Sequence, residues 1–599
     1  MDEQFIPGGM SGPGPALRRL IDTQLSAAAG TGDLAEKISG RSEVFCRVDP
    51  FERRITEVAS VATPHRGYEA LLPGRELGQV GRMSALASGL CGGVHATASA
   101  LCLEMALGIA PPPLGIVLRN LLLSCQYFND NVMHLFVLAG PDFSRSVVER
   151  TSPRLWDRAR QTSARGQRQH GCRTVGDILE GLNKGEGSFY REALRMAGLA
   201  RQAYSLLGGK YPHSESIVPG GVTLSVDETT LLAFRDAIAP FAAYSVKAAL
   251  IWDDVFDFFL EAEPGYFDLG RGAATLMDFG QWDDPEHYNA AYVDCDDWGS
   301  RRWSSPGIVI DGQFVCGSLS ELNAGLEEGT AHSLQAVDRA DGADRVFADA
   351  RGNKLGANHP WNRRVGKVGS AVPVGAYSWG SSLTWRQQGF EVGAYARLYL
   401  TAAAGRRVGK YFATTGHGIE FAYPGSEGEM LLQWNIPEVW NAFERNRARA
   451  NVLAFNVAVT AENLELALGY VRGGETSCRT EGGEMPSGRR LGVGLWGASR
   501  GFLAHWAVID EGRVDTYRIS IPSRVNIGTR TDAGAPGPLE AALLGSPLIA
   551  TEGGRDGMSY IDIQRAIQSF DPCMRCVAHI LPDGQGSAIE REIDTAFPV

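Results

Sequence analysis

The 599-residue chain is poor in cysteine, with ten, and has no excess of positive charge: 57 Lys and Arg face 69 Asp and Glu, for a net charge of −12. Ten thiols in a chain of this length fall far below the density of a disulfide-stapled scaffold, so a close pair of cysteines reads first as metal or redox chemistry. The acidic balance excludes a basic nucleic-acid surface. No window of about 18 residues is free of charge and turn formers, so no membrane-spanning helix is expected. The pattern GxxxxGK[ST] of phosphate-binding loops is missing, which leaves nucleotide hydrolysis without support. The start, MDEQFIPGGMSGPGPALRR, lacks the basic segment and apolar core of a secretory signal, so the chain is expected to carry no export address of its own. What is present is 44% apolar residues, with 73 glycines and 29 prolines in no repeat period, the composition of a loop-rich globular protein with ample core.

Residues 1–45, rich in Gly, Ser and Ala, read as a mobile arm that becomes ordered only against the body or a partner. Residues 46–579 read as one interlocked domain, and 580–599 as a C-terminal extension. The β-branched run ITEVASVAT predicts strands of a small N-terminal sheet. Apolar residues at three- and four-residue spacing predict helices over 93–110 and 113–139, broken apart by Pro111, Pro112 and Pro113, and further helices over 227–263 and 437–472. Helices so apolar are satisfied by packing on one another as a central bundle. Residues 263–430, dense in Gly, Trp and Asp with runs such as GIVIDGQFV, predict an α/β-rich excursion. Near the end, AHWAVIDEGRVDTYRISIP predicts a hairpin and IDIQRAIQSF a helix. The expected class is α+β, mainly helical. GVGLWG (492–497) fits GxGxxG by letter but reads as a loop, since no strand-turn-helix unit surrounds it.

Chemistry concentrates in DPCMRCVAH (571–579), which sets Cys573, Cys576 and His579 at three-residue intervals. Two thiolates so spaced can grip one metal, and with ligands from elsewhere they would most simply build a structural zinc site. The only segment of similar punctuation is SGLCGGVHATAS (88–99), with Cys91 and His95; its glycines suit close approach of a bulky cofactor. The remaining cysteines are scattered singly and read as small core or surface residues.

Together the two segments resemble the paired cysteine motifs RxCGxCxxxH and DPCxxCxxH of nickel-iron hydrogenase large subunits. RGYEALLPGRE (66–76), LRNLLLSCQYFNDNVMHLF (118–136), GGKYPHSESIVPGGV (208–222), GFEVGAYAR (389–397), ASRG (498–501) and GPLEAALLGSP (537–547) are similar to further family blocks, in the family's order. The resemblance implies the hydrogenase large-subunit fold and a buried Ni-Fe centre whose iron carries carbonyl and cyanide ligands. Carried over by position, Cys91 and Cys576 bridge both metals, Cys573 binds nickel, and Ser88 stands where the family has its fourth cysteine. A serine hydroxyl is a harder and far less acidic donor than the soft thiolates that hold redox nickel, so the iron would still be seated while the nickel would lack one thiolate, accept an oxygen donor or be absent. The same carry-over gives Arg500 the role of base or electrostatic guide over the metals, oriented by Asp130 and Asp571. It gives His95 a hydrogen bond to a bridging sulfur, Ser523 one to a cyanide, and Glu69 and His579 a nearby magnesium.

Other departures lie in the same blocks. RIEGH of the family is RITEV here, so Thr56 stands in the place of a proton-relaying glutamate and Glu57 is one residue off. ExPRG is GASRG, with Gly497 and Ser499, and PTTWN is PSRVN. The resemblance further implies an iron-sulfur small subunit as electron partner, metal-insertion proteins, and a maturation protease that removes the extension after His579. Location follows the partner: cytoplasmic, or periplasmic and membrane-associated if the pair is co-exported. The function implied is a redox enzyme acting on dihydrogen or a different small substrate. The alternative is a non-catalytic descendant, with zinc or nothing at the cysteines, serving as an assembly subunit.

Overall fold

A computed structural model describes residues 12–31, 40–64, 66–339, 346–366, 371–406, 409–425, 428–482, 487–551, 557–584 and 588–593. The helices that frame the site are α1 (Pro15–Thr31), α2 (Gly92–Leu107), α3 (Pro113–Met133), α4 (Ser188–Gly208), α5 (Phe241–Ala262), α6 (Ala442–Arg472) and α7 (Ile561–Ser569). The strands are β1 (Arg41–Asp49), β2 (Arg54–Ala62), β3 (Arg490–Ala498), β4 (Gly501–Asp510), β5 (Arg513–Ser520), β6 (Arg575–Pro582) and β7 (Ile589–Ile593).

The expected bundle is there. Helix α3 packs on α4 and α6, and α6 packs on α5. Phe143, just beyond α3, meets Trp252, Phe256, Phe259 and Phe443 edge-on, the arrangement that aromatic quadrupoles favour. The stretch expected as one helix over 227–263 is two, because Pro240 breaks it into Glu228–Ile238 and α5. Helix α6 is long and apolar enough to cross a bilayer, but 67% of its most apolar window is buried inside the protein, which marks a core helix. The excursion is clamped onto this bundle by a buried ion pair in which Arg445 of α6 reaches Glu391 at 2.5 Å, and within the excursion Arg397 reaches Asp278 at 2.7 Å. The GFEVGAYAR block is therefore a structural tie.

Two expectations about the termini change. Helix α1 lies inside the segment expected as an arm, yet Leu17 and Ile21 are fully buried in a cluster with Phe45, Ala59 and Val61. Strand β1 is likewise part of the body from Arg41. Residues 1–11 and 32–39 of that arm lie outside the described residues. At the other end, β6 runs through His579 to Pro582, parallel to β1, and β7 pairs antiparallel with it, completing a sheet of order β2-β1-β6-β7. The first part of the extension is thus sheet, with Cys576 opposite Ile593 and His579 opposite Glu590.

GVGLWG is not a loop. It forms most of β3, the first strand of the antiparallel sheet β3-β4-β5. Its glycines let the strand press on α2: a Cβ at Gly492 would strike the Cys102 carbonyl oxygen, and one at Gly494 the Ala98 carbonyl oxygen. Gly494→Val is therefore expected to cost about 1–3 kcal/mol by overpacking. It should appear as a lower denaturant midpoint with an unchanged slope.

Candidate metal centre

Each side chain of the site comes from an element that buries it for a local reason. Cys91 occupies the N-cap of α2. The glycines beside it do not leave open space, as expected, but admit neighbours: a Cβ at Gly92 would meet the His213 ring and one at Gly93 the Tyr204 hydroxyl. The GGKYPHSES block thereby closes over the start of the helix, with Gly93 N–H donating to the Pro212 carbonyl at 2.7 Å and His213 Nε2 lying 3.1 Å from the Ser88 carbonyl. Arg500 sits in the tight turn between β3 and β4, and Gly501 takes φ 131° there, a conformation open to glycine. Asp571 follows α7 at φ 49°, a left-handed step that aspartate tolerates better than most residues.

The three meet. Arg500 Nη1 donates to Asp130 Oδ2 at 3.0 Å and to Cys91 Sγ at 3.6 Å, and Nε stands 3.3 Å from Asp571 Oδ1. Burial opposes the Arg500 charge, but Asp571 and Asp130 outweigh it and hold the guanidinium well above its ordinary pKa. Burial likewise works against the Asp571 carboxylate, yet Arg500 and His134 hold it below the usual carboxylate range. Burial pushes the Cys91 thiol up to about 12, with Arg500 pulling it down and Asp130 and the neighbouring Cys573 pushing it up. Cys573 is tied to Ser523 reciprocally: the hydroxyl donates to Sγ and accepts from the Cys573 N–H, both at 3.1 Å.

The structure thus brings Cys91, Cys573, Arg500, Asp130, Asp571 and Ser523 into one buried cleft, and it places the other expected residues differently. The Ser88 hydroxyl accepts from the N–H groups of Leu90 at 3.3 Å and Cys91 at 3.0 Å. It supports Cys91 instead of standing free as a fourth donor. Cys576 is fully buried, but its Sγ contacts the Met574 carbonyl at 3.6 Å. Among the described residues no three His, Cys, Asp or Glu side chains form a ready-made metal-holding group. His95 pairs through Nδ1 with His505 Nε2 at 3.0 Å, and His505 with Tyr517 at 2.8 Å, instead of bonding a sulfur. Ser523 has one hydroxyl proton, and it is committed to Cys573, not directed at a cyanide. Thr56 is exposed, and Glu57 accepts from Gly14 N–H at the edge of β2.

The magnesium assignment does not fit. Glu69 is bound by Arg518 at 2.6 Å and by the Ile519 N–H at 2.7 Å. His579 lies elsewhere, stacked on Phe45, with Nε2 3.0 Å from Glu43 and Nδ1 3.4 Å from Glu590.

Sequence reasoning missed three supports. Ser499, standing for the family's proline, donates to Asp130 Oδ2 at 2.5 Å. His134 Nδ1 lies 3.0 Å from Asp571, and Arg449 Nε lies 3.9 Å from it. His134 was accessible as the residue four after Asp130, on the same helical face; it opens the π-helical turn His134–Leu138 that continues α3, a feature frequent at functional sites. Arg449 was visible as a charge inside an apolar helix.

Comparisons with known proteins identify the family. Residues 66–163 and 183–579 match the family described as nickel-dependent hydrogenase. The uptake hydrogenase large subunit of Cupriavidus necator is 25% identical over 92% of this chain and 95% of its own length. The hydrogenase-1 large chain of Escherichia coli K12 is 24% identical over 90% and 93%. Among solved structures, the actinobacterial-type NiFe-hydrogenase from Ralstonia eutropha H16 is similar at TM-score 0.85 and 31% identity, covering 90% of this chain and 97% of that one. The fold also matches the [NiFeSe]-hydrogenase of Desulfomicrobium baculatum at TM-score 0.63 and 20% identity, covering 87% and 94%. The chain belongs to the nickel-dependent hydrogenase family, oxidoreductases for which a nickel-iron active site is implied.

Asp571→Asn is expected to cost about 3–5 kcal/mol, since it leaves the Arg500 charge buried with one carboxylate. Ser499→Ala should cost about 1 kcal/mol, the net worth of one hydrogen bond. Chemical denaturation of the two variants checks the ranking, and equal losses would contradict it.

Proposed function

We propose that this chain is the large subunit of a divergent nickel-iron hydrogenase-type enzyme, exchanging electrons and protons with dihydrogen or a related small substrate. The observation that carries the reading is the Arg500 guanidinium, held between Asp130 and Asp571 and 3.6 Å from the Cys91 sulfur, with Cys573 beside it. A buried guanidinium between two thiol-bearing segments far apart in sequence has no structural need for the thiols. Among the described residues Arg500 Nη2 is buried without a hydrogen-bond partner, a surplus of donor capacity that fits a ligand-bearing inorganic group.

Cys91 and Cys573 would hold the centre, joined by Cys576 once its sulfur turns from the Met574 carbonyl. The centre, an iron with carbonyl and cyanide ligands together with nickel, would supply the redox and dihydrogen-binding chemistry. The chain's own residues do the rest. Arg500, its proton secured by two carboxylates, acts as a fixed positive charge over the sulfurs and not as a base. Ser523 donates to the Cys573 sulfur, and Ser88 holds the Cys91 backbone. Asp130 and Asp571 orient the guanidinium, and Ser499 and His134 hold the carboxylates in turn. With Ser88 committed to Cys91, the set offers three sulfurs. An iron-sulfur small subunit is the expected electron partner, and the location of the pair follows that subunit's export signal.

The test is the metal inventory of the purified protein. Iron and nickel by elemental analysis, with infrared bands of carbonyl and cyanide, are the expected result; zinc alone would overturn it in favour of a non-catalytic assembly subunit. Dye reduction by dihydrogen, absent in fully loaded protein, would exclude dihydrogen as substrate. Ser88→Cys is expected to raise nickel occupancy if the missing thiolate limits it.

A further inference from the structure

The residue matching the family's magnesium ligand, Glu69, sits in a buried ionic cluster that the chain completes by itself. Arg518 is the centre of it. Its Nη1 donates to Glu69 Oε2 at 2.6 Å, and its Nη2 to both oxygens of Glu328 at 2.6 and 2.7 Å. Arg524 closes the ring, with Nη1 3.5 Å from Glu69 Oε1 and Nη2 bonded to Glu328. The Ile519 N–H and the Ser381 hydroxyl fill further acceptor sites on the two carboxylates, at 2.7 and 3.1 Å. Arg518 and Glu328 are almost wholly buried.

Two carboxylates against two guanidinium groups leave no net charge, and each of the four carboxylate oxygens already accepts from at least one donor. A divalent cation at Glu69 would add two positive charges to a balanced, poorly solvated cluster and would have to displace Arg518. Arg518 bridges the two carboxylates with separate guanidinium nitrogens, a planar spread of donors that a point charge lacks. His579, the other candidate ligand, is held by Glu43 and Glu590. We infer that Arg518, with Arg524, does the work of a bound divalent cation at this position: the guanidinium pair fixes the Glu69 segment onto β5 and onto the helical turn Pro522–Asn526 that carries Ser523.

The inference concerns Glu69, Glu328, Arg518 and Arg524 and is independent of whether the cysteine cleft holds nickel, iron or zinc. The purified full-length chain, with its partner subunit where the two co-purify, is dialysed against chelator and assayed for magnesium by elemental analysis and for Tm with and without EDTA or Mg2+. The expected result is no stoichiometric magnesium and a Tm insensitive to EDTA and to Mg2+. Arg518→Gln, which leaves two carboxylates against one guanidinium, is expected to lower Tm and to regain part of the loss on adding Mg2+ but not Na+ at equal ionic strength. One tightly held magnesium per wild-type chain, whose removal by EDTA lowers Tm, would overturn the inference. Because the wild-type measurements suffice, failure of Arg518→Gln to fold leaves it falsifiable, and iron, nickel and zinc from the same elemental analysis judge the cysteine cleft separately.

Discussion

One guanidinium holds the site together. Arg500 joins three parts of the chain at one point: the turn between β3 and β4, the end of α3 through Asp130, and the segment after α7 through Asp571. Stripping these groups of water costs several kcal/mol for each ion, and attraction offsets that only where geometry and further hydrogen bonds are good. The chain supplies them from four directions: Ser499, Asn129 and Tyr211 at Asp130, and His134 at Asp571. Such an arrangement is a poor way to gain stability and a good way to fix one charge beside two sulfurs.

The glycines of β3 and of the Cys91 turn serve that end mechanically. Pressing β3 onto α2 sets the depth of the hairpin whose tip is Arg500, and closing His213 and Tyr204 over Gly92 and Gly93 sets the position of Cys91. Both approaches need a missing Cβ, because interiors are packed too densely for the backbone to yield by a methyl group. The distance between Nη1 and the Cys91 sulfur is thus fixed by packing far from either atom.

Much of this was legible in the residues. The long helices, the hairpin before Ser523 and the helix before Asp571 follow from periodicity and turn chemistry, and the metal-ligand spacing of Cys573 and Cys576 drew attention to the right segment. What was illegible depended on which partner a polar group finds in three dimensions. Ser88 was read as a substitute ligand because its position matches a cysteine, yet a hydroxyl three residues before Cys91 is also placed to accept the N–H groups of Leu90 and Cys91, and that local bond is made. His95 and His505 lie 410 residues apart, beyond any pattern. GVGLWG was read as a loop because no strand-turn-helix unit surrounds it, when its glycines answer to the helix lying across the strand. How the arm meets the body was illegible because weak periodicity hides the two residues, Leu17 and Ile21, that anchor α1.

Charge balance separates the two ionic clusters and explains why one invites a cation and the other refuses it. Around Glu69 and Glu328, two guanidinium groups meet two carboxylates. Around the cysteines the count is also even, Arg500 and Arg449 against Asp130 and Asp571, but only while the thiols keep their protons. Each thiol that ionises there adds an uncompensated negative charge in a buried place, which is why burial holds Cys91 near 12 despite the guanidinium beside it. A soft cation removes that penalty, because thiolates bind it in exchange for the protons they release. The same residue chemistry, carboxylate against arginine, therefore closes one site to metal and leaves the other short of positive charge by the number of its ionised sulfurs.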